Sequence, residues 1–186
     1  MCLYPADSNT MENTSEHFSK FKSIIKNFHF KNAQILIHKE EMSFKNCLFI
    51  NTALHAKGEK FYKIQFANVK WTGRNNTRVL VENYHKITFQ SCLFHDIKTG
   101  HILAAVVLIH IEEIYISKIT CHKIIGMALL VQFCTVIKMK YISTVNVEAY
   151  GRQVKNMSPM LIYGVKFTLI YHSKFINNQG QRGGST

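Results

Sequence analysis

Acid is what this chain lacks most. It carries 11 Asp and Glu against 23 Lys and Arg, a formal charge of +12, and its only aspartates are Asp7 and Asp96. The clustered aspartates that a Ca²⁺ site or acid/base cleavage of a glycosidic bond would draw on are missing. Two adjacent pairs of glutamates exist, Glu40-Glu41 and Glu112-Glu113. Proline is nearly absent, with two residues, so no Pro-rich linker divides the chain. The longest apolar runs, Ile102 to Ile109 and Ile124 to Val131, are too short to span a bilayer and read as buried strands. No Lys/Arg block exceeds two residues, which argues against a dedicated nucleic-acid surface. Ten His are present, but none forms a ligand pair at helical spacing, so neither a metal nor another cofactor is expected. Cys121 and His122 are neighbours on opposite faces of a strand, not a nucleophile pair.

What the chain has is a recurring figure. Around Gln90-Ser91 the apolar residues fall at Ile87, Phe89, Cys92 and Phe94: alternation, a one-residue slip, then alternation again. That is two short strands, each with one face buried, joined by a two-residue corner. The figure recurs backward at Ile64, Phe66, Val69, Trp71, at Met42, Phe44, Cys47, Phe49, and more weakly at Ser23, Ile25, Phe28, Phe30. Forward it recurs at Ile114, Ile116, Ile119, Cys121, at Lys140, Ile142, Val145, Val147, and at Thr168, Ile170, Ser173, Phe175. Repeats of this period indicate a solenoid.

The second corner position runs Asn27, Asn46, Asn68, Ser91, Lys118, Thr144, His172, and a following corner runs Asn32, Asn51, Gly73, Asp96, Lys123, Ala149, Asn177. Asn tolerates the left-handed backbone that a sharp bend demands, and stacked Asn side chains can bond amide to amide. A third stack is expected from Val79 to Val81, Val106 to Ile109, Leu129 to Phe133 and Met160 to Ile162. In the copy starting at Lys140 an inward ammonium would be costly, so a bulge turning Met139 inward is expected.

These repeats resemble the right-handed parallel β-helix of pectin-lyase-like proteins. The resemblance implies an all-β, single-stranded solenoid of about seven coils over residues 22–178. Residues 1–21 are expected to form a polar arm or cap, with a short capping helix starting at Thr14 or Ser15 and carrying Phe18, Phe21 and Ile25 on one face. Phe175-Ile176-Asn177-Asn178 followed by Gly183-Gly184 is similar to the repeats of polymorphic outer-membrane proteins and of related uncharacterised surface proteins, with Ser185-Thr186 where those have Ala-Ile. Residues 179–186 then read as the truncated start of a further repeat. The first 21 residues lack the apolar core of a signal peptide, so a segment of a longer protein is expected.

Within such a stack Cys47 and Cys92 share an inward column with Val69 between them. Two coil spacings put them about 10 Å apart, too far for a disulfide, so the cysteines are expected to be free core residues. Sequons begin at Asn13, Asn75 and Asn156 as candidate N-glycosylation sites. The outward residues Ser43, Leu48, Gln65, Lys70, Thr88, Leu93, Tyr115, Thr120, Tyr141 and Asn146 include no acid. The functional expectation is a non-enzymatic repeat segment of a secreted or cell-surface protein, structural, adhesive or binding acidic glycans or other surface proteins. The alternative is a fragment of a β-helix polysaccharide lyase or hydrolase whose catalytic coils lie outside this chain.

Overall fold

A computed structural model of the chain describes residues 10–12, 15–19, 23–59, 61–73, 77–99, 104–149 and 158–180. Among these residues every regular element is a β-strand, and every strand pairing is parallel. Hydrogen bonding organises them into a 13-stranded and a 7-stranded sheet. The larger sheet is folded lengthwise at the first corner, so the stack presents three faces. Ser23–Lys26, Glu41–Lys45 and Lys63–Ala67 begin the first face, and Thr10–Glu12, His29–Lys31, Leu48–Ile50 and Lys70–Gly73 the second. From Lys86–Lys98 onward, and again in Glu113–Ile125 and Val136–Ala149, one strand runs through the corner and serves both faces. The third face stacks Ser15–Ser19, Gln34–His38, Ala53–Lys57, Arg78–Glu82, Ala104–Ile109, Met127–Gln132 and Met160–Tyr163. The molecule is a parallel β-solenoid.

The corners follow from backbone sterics. Asn27, Asn46, Asn68, Ser91, Lys118, Tyr141 and His172 take φ between 52° and 58°, as does the next corner at Asn32, Asn51, Asp96, Lys123, Asn146 and Asn177 within a few degrees. Gly73 occupies that second corner in the Trp71 coil at φ 133°, where a Cβ would lie 2.2 Å from Asn51 Oδ1, so only glycine fits. In the early coils the side chains form the expected ladder. Asn46 Nδ2 donates to Asn27 Oδ1 at 3.1 Å, Asn68 Nδ2 to Asn46 Oδ1 at 3.2 Å, and Asn51 Nδ2 to Asn32 Oδ1 at 3.2 Å.

Inside, successive coils put like on like. Phe30, Phe49, Trp71 and Phe94 stack face to face with ring centroids 4.8, 5.0 and 4.5 Å apart. Phe44, Phe66 and Phe89 form a second column at 5.4 and 4.9 Å. Edge-to-face contacts of Phe44 on Phe49 and Phe66 on Trp71 knit the two columns together. Parallel in-register coils place equivalent residues one strand spacing apart, which suits offset ring stacking. Cys47, Cys92, Cys121 and Cys134 are buried and free.

Two expectations are corrected. Ser15–Ser19 is a strand pairing with Gln34–His38, and Ser23–Lys26 is another, so among the described residues no helix caps this end, and Thr14 and Phe21 lie outside them. Pairing with a neighbouring coil outweighs a short helix's weak local preference. The copy read from Lys140 lies three residues earlier, at Ile137, Met139, Ile142 and Thr144, paired with Ile114, Ile116, Ile119 and Cys121. Met139 does turn inward, but without a bulge. Ile142 therefore joins the Cys92–Ile119 column rather than that of Phe89, and the corners are Tyr141 and Asn146 rather than Thr144 and Ala149. Thr144 is fully buried, and its polarity disguised the register: Asn178 Nδ2 donates to Thr144 Oγ1 at 2.7 Å and to its carbonyl at 3.2 Å. The stack makes about five turns, slightly fewer than the seven copies. The first and last copies lack a paired neighbour on one side of the first face.

Candidate functional site

The outward side of the first face changes character along the stack. Its central outward row runs Ile24, Ser43, Gln65, Thr88, Tyr115, Lys138 and Leu169. Beside it, next to the corner, runs Lys26, Lys45, Ala67, Gln90, Ser117, Lys140 and Tyr171. The last coils of these rows enclose an open cleft of about 380 Å³ lined by Thr88, Gln90, Tyr115, Ser117, Lys138, Lys140 and Tyr171. Its floor is the backbone edge above Phe89 and Ile116, a wall that the packed core holds rigid.

Two lysines dominate this cleft. Lys140 Nζ sits 4.8 Å from the Tyr141 ring centroid and 5.6 Å from that of Tyr171. Tyr115 lies between two ammonium groups, with Lys86 Nζ at 4.4 Å and Lys138 Nζ at 5.7 Å. Lys86 is paired with Glu113 at 3.2 Å, and among the described residues neither Lys138 nor Lys140 forms an ion pair. Tyr141 stacks on His172 at 5.3 Å, and Tyr171 meets His172 edge to face at 5.5 Å. The result is a row of cation, ring and hydroxyl groups, with no carboxylate among the described residues that line it. Such groups bind anions and sugar ring faces by charge, stacking and hydrogen bonding.

The expected outward residues fall mostly where the alternation placed them. Leu48, Gln65, Lys70, Thr88, Leu93, Tyr115 and Thr120 are half-buried or exposed. Ser43 also points outward but is buried, and Tyr141 and Asn146 belong to corners rather than to strand faces. Lys138 was missed, because the shifted copy put it off the face; the outward slot opposite Tyr115 would have revealed it. The candidate glycosylation residues Asn13, Asn75 and Asn156 lie outside the described residues.

A second open cleft, about 570 Å³, lies along the next corner and holds Asp96, Lys98, Lys123, Asn146 and Glu148. Its charges are mixed in sign. Asp96 is exposed, and a hydrogen bond with His95 Nδ1 at 2.8 Å holds its carboxyl below the usual range, helped by the charges of Lys123 and His122. A general acid needs the opposite shift. The Glu41 and Glu113 positions are separated by those of Lys63 and Lys86, three coil spacings or about 14 Å, beyond the separation of a glycosidase pair. Glu112 is tied to His85 Nδ1 at 2.7 Å. Among the described residues no three His, Cys, Asp or Glu side chains converge as metal ligands, and no helix is long and apolar enough to cross a membrane. A third space of about 10 Å³, lined by Ile116, Cys121, Leu129 and Thr144, is a packing gap too small for a ligand.

The fold and this face define a class, a parallel β-solenoid with a cationic, aromatic outer surface. No protein-family model matches the chain, and no characterised protein matches it in sequence.

Proposed function

We propose that this chain is a non-enzymatic β-solenoid segment of a secreted or cell-surface protein, serving as a scaffold whose outer face binds acidic glycans. The observation that carries this reading is the first-face cleft, where Lys138 and Lys140 stand without carboxylate partners among tyrosines, hydroxyls and an amide. A rigid stack of parallel coils presents such groups at a fixed spacing, and an extended polymer can follow them. The pectin-lyase-like and outer-membrane-repeat resemblances support an extracellular setting. The lack of a carboxylate array on the outward rows supports binding without cleavage.

The test is direct. Purified chain should retain polygalacturonate or heparin at low ionic strength, and retention should fall as salt rises, because exposed lysines carry it. The same protein should release no new reducing or unsaturated ends from pectin, alginate or chondroitin, with or without Ca²⁺. Saturable depolymerisation that disappears on Asp96→Asn or Glu112→Gln would refute the proposal.

A further inference from the structure

The first corner contains an energetic anomaly. A bend at φ near 55° suits Asn, and Asn27, Asn46 and Asn68 occupy it with their side chains bonded to one another. Farther along, the same backbone geometry is held by Lys118, Tyr141 and His172. A bulky side chain in the left-handed region is a genuine outlier, and the strain is retained only where the surroundings or a function demand it. Tyr141 is 44% exposed, so burial does not account for it. What Tyr141 does touch is Lys140 and His172, and Lys140 in turn reaches Tyr171 at the rim of the cleft.

We infer that the corner of the last three coils, with the adjoining cleft, is a discrete site for one anionic pyranose unit of an acidic saccharide. This rests on the glycan-binding reading above and locates it. Lys138 and Lys140 flank the position of a carboxylate or sulfate ester. Tyr171 offers its ring to the sugar face, and Ser117 supplies a hydrogen bond to a ring hydroxyl. Tyr141 is a positioning residue: it holds the Lys140 ammonium by a cation–π contact, in a conformation that Asn would adopt with less strain. Stability has been exchanged for placement of one lysine.

The experiment uses the full chain and titrates a heparin octasaccharide, an oligogalacturonate, a neutral cello-oligosaccharide and oligo-dT at one fixed low salt. Lys138→Gln with Lys140→Gln should weaken binding of both acidic saccharides about tenfold. Lys26→Gln with Lys70→Gln removes the same charge from earlier coils and should change it less than about twofold. Tyr141→Asn should raise Tm by about 2–4 °C while weakening binding, and should add nothing once Lys140 is Gln. Equal losses from the two lysine pairs would show surface-wide attraction, overturning the site but leaving the glycan reading intact. Failure of the unaltered chain to bind either acidic saccharide would remove both. Equal affinity for the neutral oligosaccharide, or tighter binding of oligo-dT, would overturn the assignment of an acidic saccharide. A Tyr141→Asn chain that is less stable and binds normally would make Tyr141 a packing residue and refute its positioning role.

Discussion

The early coils and the late coils of this solenoid share a backbone and differ in what fills it. From Phe28 to Phe94 the interior is a double column of stacked aromatic rings, and the corners carry Asn ladders. Beyond Phe94 the same columns continue as Cys121 and Thr144, and as Ile116 and Met139, with a small gap between them. The corners turn to Lys118, Tyr141 and His172, and on the third side to His110 and Phe133, the latter 53% exposed at φ 54°. The last coil leaves Ile170 and Phe175 at 38% and 37% exposure. Residues chosen for packing and satisfied hydrogen bonds dominate the first region. In the second, the same positions present cations and rings to solvent. One repeat frame can hold two such different segments because its constraint is on φ at the corners and on inward size, not on outward chemistry.

The largest expected effect contrasts one inward column at two heights. Phe66→Ala should cost about 3–5 kcal/mol, because Phe66 stacks between Phe44 and Phe89 and is fully buried. Ile170→Ala, at the exposed end of that column, should cost under about 1 kcal/mol in chemical denaturation. Equal costs would erase the distinction between the regions.

Next come the corners. Asn46→Ala loses two amide hydrogen bonds and leaves in the left-handed region a methyl side chain that cannot bond locally as Asn does, an expected cost of about 2–3 kcal/mol. Lys118→Asn should instead stabilise by about 1 kcal/mol, the difference between an unsuited and a suited residue at the same φ. A loss at Lys118 as large as that at Asn46 would show that the late corners are packed as tightly as the early ones.

The thiols offer a pH test. Burial pushes Cys92 up to about 11 and Cys121 up to about 12. Below the unfolded thiol value, near 9, both states are protonated and stability is undiminished. As pH rises past 9 the unfolded chain loses protons that the folded chain keeps, so stability should fall until the folded values are reached. Each of these thiols should contribute a loss of about 1–2 kcal/mol by pH 10. Cys92→Val, matching its column neighbour Val69, should remove its share of that fall. Iodoacetamide applied to denatured, unreduced chain should label Cys47, Cys92, Cys121 and Cys134. A Cys47–Cys92 bridge would contradict the register. The smallest effect is Leu93→Ser on the outward side of the second face, within about 0.5 kcal/mol.

The sequence by itself determined the repeat, because inward alternation and left-handed corners are local requirements that each copy must meet. Six of the seven residues assigned to the first corner do take positive φ, and the Asn ladder follows from their spacing alone. The copy at Ile137 was illegible for a local reason. Ile142 and Val147 satisfy either register, and Thr144 looks like a corner until Asn178, arriving from the next coil, satisfies its hydroxyl. The strand at Ser15–Ser19 was hidden likewise, since its character depends on a neighbour at Gln34–His38. The cleft was half legible: Tyr115 and Thr88 could be placed outward by alternation, whereas Lys138 depended on the corrected register. Which of the 23 basic residues stand beside tyrosines without an acid was decided only by stacking of the coils, because cross-coil neighbours are set by registers between distant segments.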